Sequence, residues 1–221
     1  MNKTRSRSKD PLTAAITSFL WPFLKSEGFI KTSARTFSRE INNIVYQVIV
    51  DANGFGGRSS TQIVYCARTV FHYKHKGYLL GGRLHEDSWD LSNHELADKH
   101  MLEITELLRK EIMPWFQFHA EANNYDEALN NMKYGPIEPL LFERAVSKLM
   151  LGDKSTATIN LREILSGDFE VWTDESSPAS LLLRSIENAN FKLLLDKWAE
   201  DNRTALKLPK LTGCAESLTL T

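Results

Sequence analysis

Cysteine is scarce: only two occur in 221 residues, so no disulfide framework holds this chain together. Cys66 sits in the strand-like run Ile63-Val64-Tyr65-Cys66-Ala67, and Cys214 follows Leu211-Thr212-Gly213 in a small-residue tail. A cysteine set among apolar residues packs as a small hydrophobe rather than acting as a nucleophile, and the pair fits a reducing compartment. No apolar run reaches the roughly 20 residues of a membrane span. Net charge is almost absent too, with 27 Lys+Arg against 28 Asp+Glu for −1, far from the basic balance of a dedicated nucleic-acid binder. With 42% hydrophobic and 25% charged residues, the chain is neither collagen-like nor wholly disordered. At this length folding buries roughly 70% of the unfolded surface, enough for one large domain or two small ones.

Catalytic and metal-binding signatures are missing as well. There is no HExxH, no paired-cysteine ligand set, no EF-hand spacing and no G-x-S-x-G elbow. His72 and His75 would point to opposite faces of a regular strand, His94 and His100 diverge on a helix, and His85-Glu86-Asp87 is a loop cluster. Asn53-Gly54-Phe55-Gly56-Gly57-Arg58 lacks the Gly-Lys-Ser/Thr ending of a phosphate loop and leads into a strand, so it reads as a hairpin tip. No catalytic residue, metal ligand or cofactor is expected.

What is present is a patterned chain. Lys3, Arg5, Arg7 and Lys9 precede the stretch Leu12 to Leu24 and imitate a secretory signal. Asp10-Pro11, the polar Thr13, Thr17 and Ser18, and Pro22 spoil the imitation, and no A-x-A-like site follows. Ile16, Phe19, Leu20, Phe23 and Leu24 predict an amphipathic helix with Pro11 in its first turn, ended by Gly28. The expected location is cytoplasmic, with no membrane partner. Four segments rich in β-branched and aromatic residues predict an antiparallel sheet: Ala34 to Glu40, Ile44 to Ala52, Thr61 to Phe71 and Tyr78 to Leu84. The second is apolar on both faces and reads as an inner strand.

After residue 91 the period changes to 3.6. Ser92-x-x-Glu95 suggests a capping box, and Ala97, Met101, Ile104, Leu108 and Ile112 form one helical face up to Met113-Pro114. A short helical stretch near Tyr125 to Met132 leads to the turn Tyr134-Gly135-Pro136. Ile137 to Leu151 ends at Gly152, Asp153 caps a helix to Ser166, and the two look like a single helical hairpin of tetratricopeptide type. Ser177-Pro178 opens a last helical region containing Leu182, Phe191, Leu195 and Trp198. The expected organisation is a basic flexible arm (1–10), an α+β domain (11–134), a helical bundle (135–208) and a flexible tail (209–221).

The near-zero net charge conceals a division along the chain. Residues 1–84 hold 13 Lys+Arg against 4 Asp+Glu, and residues 85–221 hold 14 against 24. One reading is mutual neutralisation of a basic sheet by acidic helices. Others are that the cationic, aromatic-bearing sheet takes an acidic protein partner, or that it takes nucleic acid by stacking and phosphate contacts. Arg58, Arg68, Tyr73, Lys74 and Arg83 are the candidate contact residues. An unrecognised hydrolase or nuclease would need carboxylates or histidines converging in a cleft.

Leu24-x-x-x-Gly28-Phe29, Arg35-Thr36-Phe37-x-Arg39 and Tyr46-Gln47-Val48-Ile49 resemble the opening of the bacterial family called domain of unknown function 4304. There a helix ends in a Gly-Phe pair and two strands follow. Arg83-Leu84, Trp89 and the helix after Ser92 fit that family's later pattern, so the resemblance spans about residues 12 to 115. It implies an α+β domain with no established activity and no catalytic residues to transfer. Some relatives occur among immunity-like or accessory proteins of toxin and defence loci. The expectation is therefore a non-enzymatic binding protein, an immunity or defence accessory factor acting on a protein partner by occlusion.

Overall fold

The computed structural model describes residues 10–52, 57–73, 80–85, 87–133, 136–167, 172 and 174–209. The basic arm before Asp10, the hairpin tip at 53–56, Lys74, the turn at 134–135 and the tail from 210 lie outside the described residues. The order of elements is α1 (Pro11–Ala15), α2 (Trp21–Ser26), β1 (Ile30–Lys31), β2 (Thr36–Ile41), β3 (Ile44–Asp51), β4 (Gln62–Thr69) and β5 (Leu80–Arg83). Helices α3 (His94–Leu107), α4 (Met113–Phe118), α5 (Ala122–Asn131), α6 (Ile137–Met150) and α7 (Lys154–Ser166) follow, then α8 (Pro178–Glu187) and α9 (Phe191–Ala205). The architecture is α+β, with an antiparallel sheet in the order β1-β2-β3-β4-β5 and a helical C-terminal region. The sheet has five strands where the sequence predicts four, because β1 is only two residues long and carries no alternation to read. No helix among the described residues is long and apolar enough to cross a membrane.

β3 occupies the centre of the sheet, and Ile44 through Val48 are buried without a break, as an apolar strand covered on both faces requires. β2 and β3 are joined by Asn42-Asn43, whose φ angles of 50° and 65° suit a two-residue type I′ connection. Asparagine tolerates that left-handed region better than other residues with a Cβ.

Two prolines shape the N-terminal helices. The segment Ile16–Leu20 between α1 and α2 is a π turn placed before Trp21-Pro22, and Leu108–Ile112 between α3 and α4 is another, placed before Met113-Pro114. A proline inside a helix has no N–H to donate, and its ring crowds the carbonyl four residues back. In both helices the residue before the proline donates five residues back, Trp21 to Ile16 and Met113 to Leu108. The wider turn carries the helix past the proline. The stop expected at Met113-Pro114 is therefore passed, and helix continues to Phe118. Gly28, at φ 82°, ends α2 as expected: its N–H donates to Lys25 and that of Phe29 to Leu24, a Schellman closure. The cap of α3 is Asn93, whose side chain accepts from Leu96 N–H. Ser92 instead donates its N–H to Asp90.

The chain forms two compact units. The first lies within Met1–Phe37, Val48–Tyr65 and Gly82–Pro114, the second within Ser38–Gln47, Cys66–Gly81 and Trp115–Thr221. In the first, Leu12, Ile16, Leu20, Leu24, Ala97, Met101, Ile104 and Leu108 are buried, and the Arg109 guanidinium lies 4.9 Å over the Phe23 ring. In the second, Tyr46 packs on Phe116 with ring centroids 4.7 Å apart. Tyr125, Phe142, Leu149, Leu161, Leu182 and Leu195 are buried there too. The helices beyond residue 135 fall in the same unit as Ser38–Gln47 and Cys66–Gly81.

Within the second unit, Gly152 at φ 79° closes α6, and Asp153 caps α7 by accepting from Thr156 N–H at 3.0 Å. The end of α8 uses the same closure without glycine. Asn190 N–H donates to Ser185, and Ala189 is held at φ 57°. An alanine there is strained by about 1 kcal/mol or more. Replacing it with glycine, A189G, is expected to raise unfolding stability by about 0.5–1 kcal/mol in urea titrations, after allowing for glycine's looser unfolded state. A loss of stability would contradict the strain.

Candidate functional site

Arg58 and Arg83 fall in the first unit. Arg58 forms an ion pair with Asp10, whose carboxylate also caps α1 by accepting from Thr13 N–H. The Arg58 carbonyl accepts from Leu91 N–H, so this residue braces the first helix and the chain before α3. Arg83 is exposed at the end of β5. Arg68 and Tyr73 fall in the second unit, and Lys74 lies outside the described residues. Arg68 is only 2% exposed, which corrects its expected place on an open face. The last four residues of β4 are all buried, so alternation along the strand no longer selects a solvent side. Tyr73 is half-buried and meets Phe142 and Trp172 edge-on, at centroid distances of 5.2 and 4.9 Å.

The strongest polar constellation involves a residue that the sequence reading passed over. Glu143, on α6, is fully buried. One carboxylate oxygen accepts from the Thr69 backbone N–H and from the Tyr125 hydroxyl at 2.8 Å. The other lies 2.9 Å from His72 Nδ1, which donates to it. From α9, the Asn202 amide donates to the carbonyls of Val70 at 2.7 Å and His72 at 2.5 Å. The segment after β4 is thereby pinned from two helices. Burial alone would push the Glu143 pKa up. The His72 hydrogen bond and charge, with the Thr69 and Tyr125 donors, outweigh it and hold the carboxyl below its usual range. Tyr125 is raised well above the ordinary tyrosine value, by burial first and then by the neighbouring carboxylate.

A carboxylate that accepts from a histidine can orient that ring as a general base. Here the histidine is closed in, with its ring 5.8 Å from Phe142 and 4.8 Å from Tyr73, and both Glu143 oxygens are occupied. The arrangement holds chain segments together. Two further clusters in this unit have the same character. Asp126 accepts from Ser147 at 2.9 Å and Lys148 at 2.6 Å. Gln47 donates to Ser38 at 2.9 Å and accepts from the Cys66 thiol at 3.9 Å. Burial pushes the Cys66 thiol up to about 12, against the lowering influence of Arg68 and Gln47. Among the described residues, no three His, Cys, Asp or Glu side chains gather as a metal site.

An open hollow in the second unit lies between α8 and α9, with a volume of about 470 Å³. Leu181, Arg184 and Asn188 line one wall and Asn190, Leu193 and Lys197 the other. Leu193 is 73% exposed and Leu181 39%. No motif in the sequence has a counterpart in this groove, because an exposed leucine is indistinguishable from a buried one until neighbouring helices are placed. No protein-family model matches the chain, and neither a curated protein nor a solved structure resembles it significantly.

Glu143→Gln is expected to lower stability at pH 7 by about 1–3 kcal/mol, since one of the three donors then faces an amide. Because the folded-state pKa is depressed, the unfolded chain takes the proton first. The carboxylate's contribution is complete above the unfolded value and lost as pH falls through the folded one. Urea titrations should show the unaltered chain losing stability below about pH 4.5 more steeply than the glutamine variant. Equal slopes would remove Glu143 as a source of that dependence. Cys66 is expected to resist iodoacetamide at pH 8 in the folded chain and to react in denaturant, read by peptide mass spectrometry. Rapid native labelling would contradict its placement.

Proposed function

We propose that this protein is a non-enzymatic binding protein that acts in the cytoplasm by occluding a protein partner, as an immunity or defence accessory factor does. One contrast carries the reading. The second unit turns Glu143, His72 and Tyr125 inward into a saturated network, while exposed leucines and cations line an open groove between two helices. Reactive side chains enclosed in this way stabilise a fold, and exposed apolar residues set in a concavity favour recognition. The resemblance of residues 12 to 115 to the domain of unknown function 4304 family supplies the defence context. Recognition through the cationic sheet face is the weaker version, since Arg58 is engaged with Asp10 and Arg68 is interior.

The test is reconstitution. A toxin or defence component recovered with the tagged full chain is purified and titrated against it by calorimetry, with the component's own activity followed in parallel. The expected result is a stoichiometric complex in which that activity is blocked. A purified chain that turns over substrate, and loses turnover in His72→Gln while keeping its melting temperature, would contradict the reading.

A further inference from the structure

We propose that the groove between α8 and α9 is the docking surface and that its occupant is an acidic, amphipathic helical segment of a partner protein. This rests on the binding-protein reading and adds the surface and the partner's chemistry. Leu181 and Arg184 lie at helical spacing on one face of α8, and Asn188 continues that face as its C-terminal cap. Leu193 and Lys197 do the same on α9, after its N-cap Asn190, and the other face of α9 buries Phe191, Leu195, Ala199 and Asn202. Leu193 therefore points away from the core that holds its own helix. A single exposed leucine needs no explanation, but two across one concavity form an apolar floor. Its volume of about 470 Å³ lies within the range of ligand pockets, and a helix offers anchors at i, i+3 or i+4 and i+7 to such a floor.

Charge selects the occupant. Each wall contributes a cation, Arg184 and Lys197, and no carboxylate is among the described lining residues. The Arg184 guanidinium donates to the carbonyls of Glu175 and Ser180, so it is positioned without being neutralised. The carboxylates of neighbouring turns, Glu175, Glu187, Asp196, Glu200 and Asp201, are exposed and are not among the described lining residues. A second copy of this chain is a poor occupant, because setting the groove against itself would bring the Arg184 and Lys197 cations of the two copies together. Nucleic acid is disfavoured because no aromatic ring is among the described lining residues for bases to stack on. An acidic helix with two or three leucine or phenylalanine anchors satisfies both the floor and the rim.

The full chain would be titrated into a fluorescein-labelled helical peptide with leucines at i, i+3, i+4 and i+7 and Asp or Glu between them. A second peptide replaces the acids with lysine, and a thymidine oligonucleotide serves as a third probe. Fluorescence anisotropy should give micromolar binding of the acidic peptide, weaker by at least about tenfold for the lysine peptide. Leu193→Ser and Lys197→Glu should each weaken the acidic peptide by about tenfold or more. Both positions are exposed, so melting temperatures should not change. Equal binding of the two peptides, tighter binding of the oligonucleotide, indifference to Leu193→Ser or no acidic-peptide binding at about 1 mM would each overturn the proposal. A purified partner that binds both variants as tightly as the unaltered chain would overturn the groove alone and leave the binding-protein reading standing.

Discussion

Burying the ionised Glu143 carboxylate imposes the strongest constraint on the second unit, because a charge withdrawn from water destabilises by several kcal/mol unless donors surround it. The donors come from separate places: the last residue of β4, the segment after it, and α5. α6 therefore reaches its position only when all three are in place, which couples helix docking to the ending of the strand. Asn202 extends the constraint to α9 by meeting two carbonyls of the same segment. Arg203, beside it, grips Glu40 of β2 with paired bonds at 2.9 and 2.6 Å. Residues far apart in the chain are thus fixed by directional polar bonds as well as by apolar packing.

That constraint also separates stability from recognition. In the second unit Glu143, His72 and Tyr125 are spent on holding chain segments together, whereas the groove proposed for docking is lined by leucines, asparagines and two cations. The charge division along the sequence does not survive folding as a division in space. Among the described residues, the first unit holds 8 Lys+Arg against 10 Asp+Glu, and the second 12 against 14. Each strand from β2 to β5 contributes to both units, so early cations and late carboxylates are dealt out to each. The proposal of docking at the α8–α9 groove accordingly rests on local side chains and not on the net charge of either half of the chain.

Much of the fold was legible because it followed local rules. Unbroken apolar runs marked β3, a 3.6 period marked α3, and Gly28, Gly152 and Asp153 marked helix ends through backbone geometry and capping. Illegible features depended on distant partners. Pro114 reads as a stop unless a π turn absorbs it, and Asn93 takes the cap from Ser92 by a shift of one residue. Arg68 looks like a surface cation until the end of β4 is seen to be covered on both sides. Glu143 sits among Leu140, Leu141, Phe142, Ala145 and Val146, and an acid inside so apolar a stretch was the available signal. Its partners lie 71 and 74 residues away for His72 and Thr69, beyond any local pattern.

The central claim is that the Glu143 network locks the second unit, and hydrogen exchange at the Thr69 amide reads it most directly. If the carboxylate holds that N–H in the core, the amide opens only with global unfolding, and its exchange free energy equals the stability measured in denaturant. Exchange through a local opening well below that stability, with the rest of β4 still protected, would contradict the account.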